Sequence, residues 1–422
     1  MRTNDALNAF VEETGGWVAS QLEACTRCGI CAEACHFYQA TGIPEYAPVY
    51  KMELIRRGYE QRFTLGGRLK LALGFDKAVA DSDLLEHSKL LFEACTVCNK
   101  CSMVCPMGIQ IGPILHNVRT GLSAADAVPE DLRTATNRQL DIGSPLGLDQ
   151  DTWEDRIEWI EDEFEEDIPV DKKGADTLVV FTSIEMMKFP TNIGAIAKIL
   201  NAAGVNWTIS SKGREVVNFG YFEGDMKLTK LFMQRVFDAV NELGVKRMVI
   251  SECGHAFDAF RWTAKNIMEV PEGLEITHIV AIINDLVMNN KIKIKRGAFE
   301  NGTITFHDAC KIQRRGSFIE EPRNVLKILA PNSFKEMSPN KEESQCCGGG
   351  GGVISIKEAD ENRFAAFKLK VNQLKAIDAD SVAMTCSNCR LQFVDGVNHF
   401  NHQVKVKSLS EMVAEAIIEE EN

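Results

Sequence analysis

The stretch CTRCGICAEAC at residues 25–35 returns as CTVCNKCSMVC at residues 95–105. In each copy three cysteines stand at every third residue, and a fourth follows four residues later. Pro106 follows the second copy, whereas His36 takes the corresponding place after the first. Such runs are typical of thiolate ligands for a metal cluster rather than of a disulfide framework. The repeat therefore predicts two cluster-binding segments.

The spacing is that of the bacterial ferredoxin run, in which three cysteines bind one [4Fe–4S] cluster and the fourth reaches across to a second cluster. Two zinc sites are the alternative, but zinc pairs rarely add a third cysteine at the same short step. We therefore predict two [4Fe–4S] cubane clusters with exchanged fourth ligands. The first is assigned to Cys25, Cys28, Cys31 and Cys105, and the second to Cys95, Cys98, Cys101 and Cys35.

Composition excludes several classes of protein. The chain has 422 residues and a formal net charge of −13, which argues against nucleic acid as a partner, since nucleic-acid-binding proteins usually present a basic face. No apolar run approaches the roughly 18 residues of a membrane-spanning helix. The first residues lack the basic and apolar regions of a secretory signal. We expect a cytoplasmic protein without a transmembrane segment, associated with a membrane through a partner subunit.

The pattern of apolar residues changes along the chain. Between the two cysteine runs apolar residues recur at steps of three and four, which predicts helices. After residue 176 short apolar strands alternate with helices, and RMVISECGHAF (247–257) looks like a copy of SVAMTCSNCRLQF (381–393). The predicted fold class is α followed by α/β. It comprises an all-helical two-cluster domain at 1–120, an acidic linker at 121–175, and two α/β lobes in pseudo-twofold tandem at 176–295 and 296–422.

The linker carries one amphipathic helical pattern, DTWEDRIEWIEDEFEED at residues 151–167. Its apolar residues share one helical face, and nearly all the others are acidic. The helix either packs on its own protein or docks on a basic partner. The apolar residues of this face are Trp153, Ile157, Ile160 and Phe164.

A third group of cysteines lies in the second lobe around QCCGGGGG, residues 345–352. Its members follow predicted strand ends or turns, where an α/β sheet gathers ligand sites. Five thiols exceed the four that one cube takes, so either one is a spectator or the cluster is not a cube. Zinc would need only four, and a phosphate loop would need a Gly-Lys-Ser/Thr ending. Gly348, Gly349 and Gly350 would let backbone approach a large inorganic ligand. The cysteines are Cys310, Cys346, Cys347, Cys386 and Cys389.

This arrangement resembles the CCG domain of heterodisulfide reductase catalytic subunits, which also occurs in iron–sulfur subunits of glycerol-3-phosphate dehydrogenase and of lactate and glycolate oxidases. LGVKRMVISECGHAFDAF (243–260), TFHDACKIQRR (305–315) and CCGGGGGV (346–353) are most similar to the K subunit of membrane complexes linked to sulfite reduction. The resemblance implies that the five cysteines hold a noncubane [4Fe–4S] cluster, the third cofactor of the chain.

The same resemblance implies an oxidoreductase acting on sulfur groups. A membrane cytochrome b-type or other redox subunit would exchange electrons with the cubane clusters. The noncubane cluster would reduce or form a disulfide or trisulfide of a thiol substrate or small sulfur-carrier protein. Lys311, Arg314 and Arg315 attract an acidic substrate or form a solvated helix face. The alternative function is a non-catalytic electron-transfer subunit of a flavin dehydrogenase of the glycerol-3-phosphate, lactate or glycolate type.

The first lobe keeps a single cysteine, Cys253. Counted from the strand, it stands where Cys386 does, and Ala256 stands where Cys389 does, so this lobe cannot build a five-thiolate site. Cys253 is either a small buried apolar residue or a thiol or extra ligand at the remaining cluster. His255 and His307 are candidate proton donors, because disulfide cleavage consumes protons; a structural hydrogen bond is the alternative for each.

Overall fold

The computed structural model describes residues 2–418, apart from the side chains of residues 13 and 14. The seven strands of the described chain are short, and all lie in the α/β part. They are β1 Thr177–Val180, β2 Trp207–Thr208, β3 Arg247–Ile250, β4 Glu275–His278, β5 Ile304–Phe306, β6 Ser381–Met384 and β7 Lys405–Ser408.

Helices make up most of the remaining chain. Those preceding β1 are α1 Thr3–Ala24, α2 Ile30–Ala34, α3 His36–Thr41, α4 Pro48–Lys51, α5 Glu53–Phe63, α6 Leu65–Ala72, α7 Asp81–Phe92, α8 Lys100–Met103, α9 Ile111–Ala124, α10 Glu130–Ile142 and α11 Gln150–Phe164. Those following it are α12 Ser183–Lys188, α13 Pro190–Ala202, α14 Phe219–Glu223, α15 Met226–Leu243, α16 Gly254–Asp258, α17 Ala264–Ile267, α18 Ile279–Met288, α19 Cys310–Arg314, α20 Glu320–Leu329, α21 Asp360–Ala376, α22 Ser387–His399 and α23 Leu409–Ala416. No helix within residues 2–418 is long and apolar enough to cross a membrane.

Backbone proximity divides the chain into two compact units. Unit 1 comprises Met1–Thr136, Phe219–Thr229 and Gly348–Leu369. Unit 2 comprises Asn137–Asn218, Lys230–Cys347 and Lys370–Asn422. The sequence QCCGGGGG therefore crosses a boundary, because its two cysteines belong to unit 2 and its glycines to unit 1.

Unit 1 is helical and is built around α9, against which α1 and α7 pack. The buried apolar residues of α9 recur at steps of three and four, so they form one continuous face toward these neighbours. Gly121 of α9 lies directly against the Phe10 ring of α1, where any side chain would clash. The helical fold predicted for the N-terminal part is confirmed. The buried apolar residues of α9 are Ile111, Ile114, Leu115, Val118 and Leu122.

Unit 2 contains two small parallel sheets with helices between their strands. The first has the order β2-β1-β3-β4, and the second has the order β5-β6-β7. Within each sheet the corresponding strands are neighbours in the same order, β1-β3-β4 in one and β5-β6-β7 in the other. In the second sheet Phe306 of β5 pairs with Ala383 of β6. The predicted α/β class is confirmed, and the shared strand order agrees with two related lobes.

The predicted linker is helical along much of its length. The acidic pattern forms α11, whose residues Trp153, Ile157 and Ile160 are buried. α11 packs on α13, where Gly194 lies directly against the Phe164 ring. The apolar face is therefore occupied by the chain's own helix, which favours packing over docking on a basic partner.

Candidate metal centres

The cysteines of the two repeated runs line two separate cavities in unit 1. Cys25, Cys28, Cys31 and Cys105 line the first cavity, together with Met52. The second cavity, which Phe37 also borders, is lined by Cys35, Cys95, Cys98 and Cys101. Each run thus contributes three cysteines to one cavity and its fourth to the other. Four thiols around each cavity are the donor set that a [4Fe–4S] cube requires.

The backbone turns in the same way at both cysteine runs. Arg27 and Gly29 have φ of 57° and 83°, and Val97 and Asn99, at the same places of the second run, have φ of 49° and 67°. A positive φ is rare for a β-branched residue such as Val97 and costs about 1–3 kcal/mol. Alternating turns of this kind aim successive N–H groups at one point, where they can stabilise a negatively charged cluster.

Solvent reaches the two cavities unequally. Cys28 is exposed and Cys25 half-buried in the first, whereas Cys95 and Cys101 are buried in the second. Burial and the neighbouring thiols raise the pKa of Cys31 to about 11. Metal binding at these sites therefore has to displace thiol protons.

A buried cation accompanies each cavity. Arg56 is 3% exposed, and its Nη2 lies 3.7 Å from Cys25 Sγ. Lys51 is 1% exposed; its ammonium group donates to the Ala94 carbonyl and lowers the pKa of Cys35, which burial raises. Positive charges at these places offset the negative charge that four thiolates bring to an iron–sulfur cluster. The motif predicted the thiolates but not these two cations.

The second cysteine run is tied to the glycine run by the buried Arg119 of α9. Its guanidinium donates to the carbonyls of Leu91 (2.7 Å), Cys95 (2.7 Å), Phe222 (2.8 Å) and Gly351 (2.6 Å). All five residues belong to unit 1. Burial lowers the pKa of Arg119 to about 10, so the side chain stays charged at neutral pH. One guanidinium therefore satisfies four backbone acceptors beside the second cavity.

The glycine run packs closely against protein atoms. Gly351 has φ of +63°, and a Cβ there would lie 2.8 Å from the Thr96 carbonyl oxygen. Gly348 has φ of +93°, and its Cβ would lie 3.2 Å from the Arg363 carbonyl oxygen. At these two positions the absent side chain makes room for the chain's own backbone. The sequence predicted that Gly348 is a glycine because a cluster needs the space. The surroundings of Gly348 show instead that a side chain there would crowd the protein itself.

The third group of cysteines lies in unit 2 at the carboxyl edge of the second sheet. Cys310 begins α19, which follows β5, and Cys386 precedes α22, which follows the adjacent β6. All five cysteines are buried, and Cys347 Sγ lies 3.5 Å from Cys389 Sγ. Hydrogen bonds with Cys346 and Cys389 lower the pKa of Cys347, and a hydrogen bond with Cys389 lowers the pKa of Cys386.

Two arginines fix the segments that carry these cysteines. Arg323 and Asp308 form a buried bidentate pair with both N···O distances at 2.9 Å. Asp308 also accepts from the backbone N–H of Lys341 at 2.7 Å. Arg314 donates to the carbonyls of Glu342 and Ser344, just before Cys346. Pairing of this kind orients the cysteine-bearing backbone independently of any metal.

Cys253 lies at the helix position that corresponds to Cys386. Each residue is the N-cap of the helix that follows its lobe's equivalent strand, β3 or β6, with φ/ψ of −137°/103° and −147°/113°. The two turns face each other, because Ser387 donates its N–H to the Glu252 carbonyl at 2.7 Å. The Gly254 N–H donates to the Cys386 sulfur. Burial raises the pKa of Cys253 well above its usual value.

The candidate histidines differ in their surroundings. His307 is fully buried, and one of its ring nitrogens lies within 4.8 Å of the Cys347 and Cys389 sulfurs. His255 is the second residue of α16 and is also buried. Burial lowers the pKa of His307, so the ring is neutral at physiological pH. The structure thus brings His307 directly to the cysteine group, whereas His255 follows Cys253 by two residues in the chain.

Lys370 of α21 is a charged residue at this site that no sequence pattern indicated. It is 1% exposed, and Nζ has no hydrogen-bond partner among the described residues. Burial lowers its pKa to about 8, against the opposing influence of Asp308, Cys346 and Cys347. A buried ammonium group without a partner is costly, so an anionic group nearby would stabilise it.

The three basic residues after Cys310 are tied to the protein. Lys311 is buried and pairs with Asp258 at 2.7 Å, and Arg315 pairs with the same carboxylate at 2.8 Å. Arg314 binds the backbone carbonyls before Cys346. The prediction of a solvated helix face is wrong for Lys311, and these contacts do not favour a surface that attracts an acidic substrate.

A buried carboxylate precedes Cys253. Glu252 Oε1 accepts from the Ser408 and Ser410 hydroxyls at 2.6 and 2.9 Å, while Oε2 has no partner in the described part of the chain. Burial raises the pKa of Glu252 to about 8. Its backbone also accepts from Ser387, so one residue joins the two facing turns.

Comparison with known proteins agrees with these sites. The 4Fe–4S dicluster domain family matches residues 21–109, which contain all eight cysteines of the two runs. The cysteine-rich domain family called CCG matches residues 304–394, which contain the five cysteines of the third group. Cys253 lies outside both matches.

The relatives are iron–sulfur subunits and oxidoreductases. The chain is 25% identical to the Hdr-like menaquinol oxidoreductase iron–sulfur subunit of Archaeoglobus profundus, over 94% of this chain and 79% of the relative. It is 28% identical to a subunit of the dihydromethanophenazine:CoB–CoM heterodisulfide reductase of Methanosarcina barkeri, over 94% of both chains. It is also 24% identical to the EtfAB:quinone oxidoreductase of Syntrophomonas wolfei, over 96% of this chain and 60% of the relative.

Residues 21–109 are thus similar to dicluster [4Fe–4S] domains and residues 304–394 to CCG domains, which indicates 4Fe–4S clusters together with a cysteine-rich region. The resemblance to CCG-domain proteins of the heterodisulfide reductase type, predicted from the sequence, is confirmed.

Proposed function

We propose that the chain is the iron–sulfur catalytic subunit of a heterodisulfide-reductase-like complex. Two cubane clusters, held by the cysteine sets that line the two cavities, would carry electrons. A noncubane [4Fe–4S] cluster would be held by Cys310, Cys346, Cys347, Cys386 and Cys389 and would supply the site where a disulfide or trisulfide is reduced or formed. For a disulfide the balance is R–S–S–R′ plus two electrons and two protons, giving RSH and R′SH.

The observation that carries this proposal is the gathering of buried thiols at one sheet edge. Cys347 and Cys389 lie 3.5 Å apart, and the turn of Cys253 meets the turn of Cys386. A pure electron-transfer site has no need of a further thiol, whereas sulfur exchange can use one. Cys253 is therefore proposed to hold the substrate sulfur or act as an additional ligand.

The surrounding residues have separate proposed roles. His307 and His255 would deliver the two protons, since neutral imidazole can relay protons from solvent. Lys370 would stabilise the thiolate that forms when the S–S bond breaks. We also propose that the cluster lies near the backbone of Gly348, Gly349 and Gly350.

The proposed partners follow from the relatives. The name of the Archaeoglobus protein contains menaquinol, and that of the Methanosarcina protein contains dihydromethanophenazine. These names support a membrane cytochrome b-type or other redox subunit as electron partner. The proposed location is the cytoplasm, with membrane association through that subunit. The proposed functional domains are 1–120, a linker at 121–175, a degenerate lobe at 176–295 and a CCG lobe at 296–422.

The test begins with the iron content and paramagnetic signals of the anaerobically purified protein. Three clusters give about twelve irons, and the noncubane cluster should give a signal in the oxidised state that depends on added thiol. About eight irons without such a signal would refute the noncubane proposal. Reduction of disulfides and trisulfides by the same preparation measures the activity.

Substitution of Cys253 tests its thiol. Cys253 accepts from the Ala256 N–H, so Cys253→Ser keeps a capping acceptor and removes only the sulfur, whereas Cys253→Ala removes both. We expect both variants to keep full iron content and to lose turnover at least about tenfold. Unchanged turnover in Cys253→Ser would end the proposed role.

A second candidate function is electron transfer to or from a flavoprotein without sulfur chemistry. The similarity to the EtfAB:quinone oxidoreductase favours it specifically. This function predicts that a reduced flavoprotein reduces the clusters rapidly and that the protein does not turn over disulfides. It also predicts that Cys253→Ser leaves the rate of electron transfer unchanged.

A further inference from the structure

A row of large apolar side chains is exposed on unit 1 in the segment Phe63–Lys77. Leu65 is 84% exposed and Phe75 is 81% exposed, and Phe63, Leu69 and Leu73 are between 54% and 60% exposed. A soluble protein rarely leaves so many large apolar side chains together in water, unless they contact a membrane or a partner.

The geometry of α6 explains why the row faces outward. Gly67 is buried against the Glu60 carbonyl of α5 and the Thr64 hydroxyl, where a Cβ would clash. Residues two positions away on a helix point about 200° around the axis, so Leu65 and Leu69 face away from α5. Leu73 continues the row one turn later, because residues four apart share a face.

The segment is anchored at its far end. Gln61 donates to Asp76 Oδ2 at 2.9 Å and to the Lys77 carbonyl at 2.8 Å. Arg57 donates to the same carbonyl at 3.0 Å. The apolar row is therefore held outward by a fixed backbone rather than by a loose loop.

The charge of the segment is opposite to that of the chain. Together with Arg62, which directly precedes it, the segment contains four basic side chains and one acidic side chain, a net charge of +3, in a chain of net charge −13. None of the four forms an ion pair with the described residues. Apolar residues with flanking basic residues are the combination that binds the surface of an anionic bilayer. The basic residues are Arg62, Arg68, Lys70 and Lys77.

We propose that Phe63–Lys77 binds directly to the surface of an anionic lipid bilayer, with the apolar row in the headgroup region. α5 joins this surface to the first cysteine cavity, because Arg56 near its start lies 3.7 Å from Cys25 Sγ. From Arg56 to Phe63 the helix rises about 10 Å. The contact thus brings the first cavity near the membrane surface, and it stands independently of the sulfur chemistry proposed above.

The test is flotation of the purified full-length holoprotein with lipid vesicles that contain no protein. We expect flotation on phosphatidylglycerol–phosphatidylethanolamine vesicles and little on phosphatidylcholine vesicles, with binding weakened by salt. The combined variant Leu65→Ser, Leu69→Ser, Phe75→Ser should reduce the floating fraction at least about tenfold. The double variant Arg68→Gln, Lys70→Gln should remove much of the salt-sensitive part of the binding to vesicles.

A matched control places serine at three exposed apolar positions elsewhere. Leu85→Ser, Leu231→Ser and Met288→Ser remove large apolar side chains that are between 41% and 51% exposed, and should leave flotation unchanged. Unchanged iron content and circular dichroism in every variant show that the fold is intact. Equal flotation of the segment variant and the wild type would overturn the proposal. Flotation only on vesicles that carry a membrane redox protein would also overturn it and would indicate a protein partner.

Discussion

Replacing Arg119 with methionine should destabilise unit 1 more than any comparable change of an arginine at its surface. Methionine keeps the apolar stem but leaves the carbonyls of Leu91, Cys95, Phe222 and Gly351 without this donor. An unsatisfied buried acceptor costs about 1–3 kcal/mol, so even the lower figure gives about 4 kcal/mol for four acceptors. Whole domains are stable by only about 5–15 kcal/mol.

The assay is urea denaturation of the holoprotein, followed by circular dichroism and by the visible absorbance of the clusters. Arg119→Met should lower the free energy of unfolding of unit 1 by about 4 kcal/mol, and cluster absorbance should be lost with the first transition. Arg57→Met is the control, because Arg57 donates to Asp83 and the Lys77 carbonyl from a partly exposed position and should cost about 1 kcal/mol or less. Equal losses in the two variants would refute the reasoning.

Three further predictions concern the glycine run and unit 2. Gly351→Ala should destabilise unit 1 by about 1–3 kcal/mol in the same urea assay, because its φ is +63° and the new Cβ would meet Thr96; an unchanged midpoint would contradict this. Lys370→Met should lower the reduction potential of the third cluster by on the order of tens of millivolts, measured by redox titration, because a buried positive charge is lost; an unchanged potential would place the ammonium group away from the cluster. The pKa of Glu252 is about 8 in the folded protein and about 4.5 in the unfolded chain. The folded protein therefore binds the proton more tightly, and the contribution of Glu252 to the free energy of unfolding declines as the pH rises from about 4.5 to about 8. The decline is at most about 1.4 kcal/mol per pH unit. Over this pH range the urea midpoint of Glu252→Gln should decline less than that of the wild type. Equal declines in the two proteins would show that other groups set the pH dependence.

The sequence allowed the cysteine sites to be predicted because their information is local. A cysteine at every third residue and a Cys-Cys-Gly run need no tertiary structure to be seen, and the neighbouring strands β1, β3, β5 and β6 are short apolar runs. β4 and β7 were not predicted. β4 ends at His278 and α18 begins at Ile279, so that strand and helix join without a turn signal between them. β7 is an edge strand with exposed Lys405.

The charged residues around the sites could not have been predicted in the same way. Arg119, Lys370 and Lys51 are buried by residues distant in sequence, and nothing adjacent to them marks a buried charge. The spacing of apolar residues could not predict that the row on α6 is exposed, because an apolar helix face normally packs against a core. Only the fold shows that Gly67, rather than the leucines, faces α5.

The unequal burial of the two cysteine cavities of unit 1 has a consequence for how the protein would react with oxygen. Cys28 is open to solvent, whereas Cys95 and Cys101 are enclosed and the Cys95 carbonyl is held by Arg119. Oxidants arriving from water should therefore reach the first site sooner. Damage should therefore proceed in a fixed order: the first cluster breaks down while the second, with Val97 held in its rare conformation by the surrounding protein, survives. A partly inactivated sample would be a population of chains that still hold iron but have lost the cluster next to α5.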